Sequence, residues 1–245
     1  MVVFDKRDEI GGNLHVAKKP PFKGKFEWAI DYYKSMAKKL NITMKLGKEV
    51  TAQEVLALKP HSILVATGSN VISIPLEGLD QVQTVQAHDV LANDMQFANK
   101  KVVVIGGGIT GLETALYINR QGTNQVSVVD MLPEWPVDML DMRYQNEALL
   151  EVRHCNDQGV ALFYNNKVVK FADGKLFIES TKDGEAKALP ADVIVLSVGV
   201  KPNDALWQEL LASGHPSVWK AGDAIATGKI NKAVLHGSKF GYSLN

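Results

Sequence analysis

The spacing of apolar and polar positions changes several times along this chain, and each change marks an element. Val102–Ile105 is an unbroken apolar run between Lys100-Lys101 and Gly106-Gly107-Gly108, as expected of a strand buried on both faces. Gln125–Val129 and Asp192–Val198 read the same way, and Ile63–Ala66 is a shorter strand leading into Thr67-Gly68. Val2-Val3-Phe4 predicts a strand that ends at Asp5. Trp28–Leu40 places Ala29, Tyr33, Met36, Ala37 and Leu40 on one helical face, and Ile42, Met44 and Leu46 then alternate as in a half-buried strand. Thr51-Ala52-Gln53-Glu54 is a capping box opening a short helix that Pro60 closes off. Residues 69–99 predict a connector with one helical piece near Asp89–Ala92. After a loop at Pro133–Pro136, Tyr144–His154 suits a helix. From Val160 the period moves toward two: Val160–Tyr164, Lys167–Phe171 and Lys175–Ser180 predict strands, with Asp173-Gly174 as a hairpin turn and Asp183–Glu185 as a second exposed turn. Pro202–Leu211 predicts a helix, Val218–Ala221 a strand running into Gly222-Asp223, and Ile230–Tyr242 a last helix. Strands alternating with helices, plus a small antiparallel meander, predict an α/β fold with largely parallel sheets.

Composition narrows the partners more than the fold. The 27 Lys and Arg residues balance the 27 Asp and Glu residues, so nothing in the charge argues for nucleic acid or an anionic membrane. No apolar run approaches a membrane span. A single cysteine, Cys155, leaves no disulfide framework, CxxC redox pair or iron–sulfur ligand set within this chain, which points to a reducing, cytoplasmic setting. The six His residues show no HExxH or Cys/His ligand spacing, so no metal site is expected, and His154-Cys155 reads as a structural pair.

The candidate chemistry lies at Gly106-Gly107-Gly108-Ile109-Thr110-Gly111. This loop follows a strand, opens a helix, and is followed by a second strand ending in Asp130. That combination is the dinucleotide-binding fingerprint: Gly106 for the tight turn, Gly108 for close approach of a pyrophosphate, Gly111 for close packing of helix on strand. The helix N-terminus offers N–H groups to phosphate. Asp130 can accept from an adenosine ribose 2′-hydroxyl, and Met131-Leu132-Pro133 offers no Arg for a 2′-phosphate, so NAD(H) is expected over NADP(H). Glu113, just inside the helix, has two readings. It lies near the nicotinamide, or it is an acidic residue favoured by the helix dipole.

Asp5 ends a strand as Asp130 does, but counting back about 20 residues for its glycine loop runs past Met1. Thr67-Gly68, Gly199 and Gly222-Asp223 are further glycine turns at strand C-termini, the edge where open α/β sheets bind ligands. Together with Gly11-Gly12-Asn13-Leu14, ILVATGS at 63–69, VVVIGGGITGLETA at 102–115, VVDMLPE at 128–134, DVIVLSVGVKPN at 192–203 and AGDA at 221–224, these make the chain resemble the pyridine nucleotide–disulfide oxidoreductase superfamily. Within it, the likeness is to the C-terminal module of old-yellow-enzyme-like flavoproteins: 2,4-dienoyl-CoA reductase, 2-enoate reductase and trimethylamine dehydrogenase.

The resemblance implies two Rossmann-like three-layer domains. One, at 99–198, would bind NAD(P) and be inserted into a discontinuous FAD-binding domain, 1–98 with 199–245, whose first βα unit is absent. It implies that Gly106–Gly111, Glu113, Asp130 and Gly199 face NAD. Asp5, Gly11, Gly12, Thr67, Gly68, Gly222 and Asp223 would face FAD, with Asp223 on the ribityl chain. It also implies hydride transfer from NADH to FAD, for onward reduction of an enoate or dienoyl-CoA in an N-terminal barrel domain carrying FMN and an Fe–S cluster. An oligomer is compatible with this. Two alternatives stay open: a nucleotide-binding fragment without activity of its own, and a ferredoxin- or rubredoxin-reductase-like flavoprotein. A disulfide reductase is excluded, since one cysteine cannot form a dithiol.

Overall fold

The computed structural model describes residues 1–133 and 142–244. In chain order the elements are β1 (Val2–Phe4), α1 (Leu14–Ala17), α2 (Phe26–Lys39), β2 (Thr43–Lys45), α3 (Ala52–Ala57), β3 (Ile63–Val65), β4 (Ser69–Val71), β5 (Gln83–Gln86), α4 (Ala87–Ala92) and β6 (Lys101–Ile105). They continue with α5 (Ile109–Asn119), β7 (Gln125–Val129), α6 (Met142–Asp157), β8 (Ala161–Phe163), β9 (Asn166–Ala172), β10 (Lys175–Ser180), β11 (Ala186–Pro190), β12 (Val193–Leu196), β13 (Val200–Pro202), α7 (Ala205–Ala212), β14 (Val218–Lys220) and α8 (Ile230–Tyr242). Trp135 and Glu134, and most of the Pro133–Pro136 loop, lie outside the described residues. The chain divides into two compact units: 11–32 with 73–198, and 1–10 with 33–72 and 199–245.

The first unit is built on a five-stranded sheet in the order β5-β12-β6-β7-β8, with every pair parallel. Alternation along β6 and β12 sorts their side chains to two faces. Val102, Val104, Val193 and Val195 meet Val90 of α4, Leu112, Ala115 and Leu116 of α5, and Val152 and Cys155 of α6. Val103, Ile105, Ile194 and Leu196 meet Phe171, Leu176 and Ile178 of the antiparallel sheet β11-β10-β9. Both faces are therefore covered, which is why these strands read as continuous apolar runs rather than as alternations. The strand order reverses beside β6: the chain leaves it through α5 to β7, while β12 returns on its other side. Ligands bind at such a switch point in an open α/β sheet.

The second unit holds three strand pairs among its described residues: β1-β2 and β14-β3, both parallel, and β13-β4, antiparallel. Ile63, Val65 and Leu210 form a small core with Val55, Leu206, Trp207 and Val218. The Thr51–Glu54 capping box is present: the Thr51 side chain accepts from Glu54 N and the Glu54 carboxylate from Thr51 N.

The α/β class with parallel sheets and a small antiparallel sheet is as the sequence predicts. The compact fingerprint unit takes in more of the chain than the expected 99–198. β5, within the segment expected to be a connector, hydrogen-bonds along β12 from Val193↔Gln83 to Leu196↔Gln86, and so brings 73–98 into the fingerprint unit. Segment 11–32 belongs to that unit as well. Strands β4, β11 and β13 also form where none was expected; each is short and largely exposed and owes its existence to a partner strand.

Candidate functional site

The fingerprint loop runs from the C-terminus of β6 into α5 at the switch point. Gly106 has φ +108, and its N–H donates to Val129 O at 2.8 Å, tying the turn to β7. A Cβ at Gly106 would stand 2.3 Å from Ser197 O, and one at Gly111 would stand 1.9 Å from Gly106 O. Both glycines are therefore demanded by the fold itself. Gly108 differs. It caps α5 with φ −65° and ψ 169°, conformations open to any residue, and a Cβ there would meet nothing within 4 Å. Its lack of a side chain leaves open space against a helix N-terminus whose first-turn N–H groups have no helical acceptor. That end of α5 has the charge character that suits a phosphate.

Asp130, just past β7, accepts from Gly107 N at 2.6 Å through Oδ2 and from Leu132 N at 2.8 Å through Oδ1. The loop and the acid expected to share a dinucleotide are thus in direct contact. The Tyr164 ring stands against Gly107, its nearest carbon 3.0 Å from where a Cβ would be.

Glu113 lies beyond the first turn of α5, and its side chain is 9% exposed, so it is not the solvent-facing N-terminal acid of the helix-dipole reading. Its carboxylate pairs with the Lys23 ammonium, which also donates to Glu147 Oε1 at 2.8 Å. Glu151 is buried on the same helix as Glu147, with His154 Nδ1 3.8 Å from its Oε2. Phe22, with φ +69, packs tilted against His154 at 5.1 Å between centroids and carries the Arg120 guanidinium 4.5 Å from its own centroid. Burial pushes the Glu113 carboxyl above the ordinary range, and the charges of Glu151 and Glu147 add to this, against the pull of Lys23. Burial also raises Glu151. Burial would lower the Lys23 ammonium, but its hydrogen bonds to Glu113 and Glu147 outweigh that and hold it charged. The two directions are compatible because several carboxylates share one ammonium.

Lys23, Glu147 and Glu151 were not picked out by motif. Glu147, Glu151 and His154 do carry a signal, the i, i+4, i+7 spacing of one helical face. Lys23 carries none, since it lies in a loop.

The remaining predicted residues divide between the units. Gly11 (φ +122) and Gly12 (φ +50) fall in the fingerprint unit. Gly199, expected with NAD, is the first residue of the other unit there; its carbonyl accepts from Ile72 N at 3.1 Å. That second unit gathers Asp5, Thr67, Gly68, Gly222 and Asp223. Asp5 accepts from Arg7 N at 2.9 Å. In the same unit an open cavity of about 390 Å³ is lined by Asp8, Glu9, Lys34, Met44 and Leu46, among others, and not by Asp5. Gly68 O accepts from Asn203 N at 3.0 Å. Asp223 accepts from Ser69 Oγ at 3.2 Å and from Gly228 N at 3.0 Å, and Gly222 N donates to His236 Nδ1 at 3.2 Å.

The model of one family, pyridine nucleotide-disulphide oxidoreductase, matches residues 22–235. This chain belongs to that family. It is 29% identical to an NADH oxidase of Thermoanaerobacter brockii over its whole length and 37% of that protein. It is 32% identical to a bilirubin reductase of Mediterraneibacter gnavus over 83% of this chain and 30% of that one. A solved 2-naphthoyl-CoA reductase superposes with a TM-score of 0.87 at 26% identity, covering 98% of this chain and 36% of its own. The chain thus spans about a third of the length of these relatives. No helix among the described residues is long and apolar enough to cross a membrane.

Proposed function

We propose that this chain is the electron-entry module of an NADH-dependent flavin oxidoreductase, passing reducing equivalents from NADH to FAD. The observation that carries this reading is the open space at Gly108 beside the helix N-terminus, with Asp130 bonded to the same loop at Gly107. Glycines at 106 and 111 would be kept by packing in any βα turn this tight. Gly108 is not required by packing, and at this place in the fingerprint close approach of a pyrophosphate would account for it.

In this reading the first-turn N–H groups of α5 hold the pyrophosphate, Asp130 holds the adenosine ribose and disfavours a 2′-phosphate, and Glu113 with Lys23 lies toward the nicotinamide. Asp5, Thr67, Gly68, Gly222 and Asp223 line the flavin side. The bound cofactors supply the redox chemistry, a hydride from the nicotinamide to the flavin, while the chain binds, orients and excludes water. The similarity to an NADH oxidase, a bilirubin reductase and a 2-naphthoyl-CoA reductase, each about three times as long, supports a substrate site in a further domain. For that domain the family resemblance implies an enoate or dienoyl-CoA-type substrate with FMN and an Fe–S cluster.

A second reading, a dinucleotide-binding module that holds FAD weakly and does not turn over alone, is favoured by one observation. Among the described residues the flavin-side unit has separate strand pairs where the fingerprint unit has one continuous sheet. Titrating the protein with FAD and following NADH oxidation by a dye acceptor separates the two. FAD-dependent turnover supports the first, and NADH binding without turnover the second. Failure to bind either nucleotide would sink both.

A further inference from the structure

We propose that Glu147 is a positioning residue for Glu113: by sharing the Lys23 ammonium, it sets where the Glu113 carboxyl points and how readily that carboxyl keeps a proton. This rests on the reading that Glu113 lies toward a nicotinamide, and it names what controls that residue.

The geometry carries the argument. Lys23 Nζ donates to Glu113 of α5 and, at 2.8 Å, to Glu147 of α6. An ammonium has three donors and one charge, so two carboxylates on it divide its stabilisation. Both carboxylates stand on packed helices. Glu113 sits in the middle of a buried helix face between Leu112 and Thr114. α6 is held by Ala148, Val152 and Cys155, with Cys155 Sγ 3.9 Å from Leu112 O. The loop bearing Lys23 is fastened on either side, by Lys18 to Glu27 at 2.5 Å, by Lys19 to Asp94, and by Phe22 on His154 and Arg120. The ionisable groups that meet here, among the described residues, are Lys23 from the loop and Glu147, Glu151, His154 and Cys155 from α6.

The consequence is chemical. A nicotinamide carboxamide presents both an acceptor oxygen and a donor NH2. A carboxylate can answer only the donor, whereas a carboxyl that keeps its proton answers both. A second carboxylate on Lys23 moves Glu113 toward the protonated form, the direction its burial already favours. Glu147 therefore acts on the nicotinamide end of the site without touching it.

The test needs no nucleotide. In the full chain labelled with carbon-13 at the glutamate carboxyls, the Glu113 resonance is assigned by its loss in Glu113→Gln and titrated by NMR. Glu147→Gln removes a like charge and leaves Lys23 to Glu113, so the Glu113 midpoint should fall by about half a pH unit or more. An unchanged or raised midpoint overturns the proposal, because a merely structural residue would not move it downward. Should Glu147→Gln fail to fold, Glu147→Asp withdraws the carboxylate by one methylene. It should lower the midpoint by less, and no shift there overturns the proposal equally. Calorimetry with NADH on the wild-type protein is read separately: no binding would refute the dinucleotide site while leaving the carboxyl titration to stand or fall by itself.

Discussion

The Asp130 carboxylate accepts the Gly107 N–H at 2.6 Å, joining the end of β7 to the glycine loop after β6. This fixes the acid at the lip of the loop in one orientation, with Leu132 N on its other oxygen at 2.8 Å. In the proposed site a ribose diol would meet an acceptor already aimed, and a 2′-phosphate would meet a fixed negative charge.

Asp130→Ala removes that acceptor. NADH affinity should fall by about tenfold or more, in keeping with a lost hydrogen bond to a charged group, while NADPH affinity falls less or rises. Calorimetric titration with both nucleotides gives the ratio. If the ratio of the two affinities does not change, the acid is not reading the ribose.

Gly108 and Gly111 should separate binding from folding. A Cβ at Gly108 meets nothing in the protein, so Gly108→Val should keep its thermal midpoint within a few degrees and lose dinucleotide binding. At Gly111 the Cβ would lie 1.9 Å from Gly106 O, so even Gly111→Ala should push α5 off β6, at a cost of about 1–3 kcal/mol. Thermal unfolding of both variants checks the contrast, and equal destabilisation of the two would refute it.

Glu151 gives a pH dependence with a defined sign. Its carboxyl is raised above 4.5 by burial, so the folded state holds its proton more tightly than the unfolded one. The stability it contributes is present below the unfolded value and is lost as pH rises through the folded value. Glu151→Gln, which cannot ionise, should therefore gain in urea midpoint relative to wild type at about pH 8 and show less gain or none at about pH 5. A gain confined to the acid side would contradict the assignment.

Cys155 is fully buried beneath α5, and burial, helped by the Glu151 charge, pushes its thiol up to about 12. Thiolate is the reactive form, so the native protein should resist iodoacetamide at about pH 8 and be alkylated only once unfolded. Mass spectrometry shows the modification directly, and rapid labelling of native protein would count against this packing.

The sequence by itself determined the parts that are local. The β6–α5–β7 fingerprint is a contiguous segment, and burial on both faces writes it as an apolar run, a glycine turn and a run ending in an acid. The Thr51–Glu54 capping box and the Asp173-Gly174 hairpin turn were legible for the same reason, since their partners lie a few residues away. Tertiary structure decided what depends on distant partners. Gln83–Gln86 has one apolar residue, Val85, and becomes a strand because β12 offers it an edge. Val200–Pro202 becomes one against β4. The environment of Glu113 was out of reach in the same way. Its place in the second turn of a helix is written locally, but Lys23 lies 90 residues before it in the chain, and Lys23 and Glu147 are 124 residues apart. Periodicity reports that a face is buried and not what it is buried against. The helix could be read from the chain, whereas the shared ammonium that sets the character of its acid arises only where a loop and two helices meet.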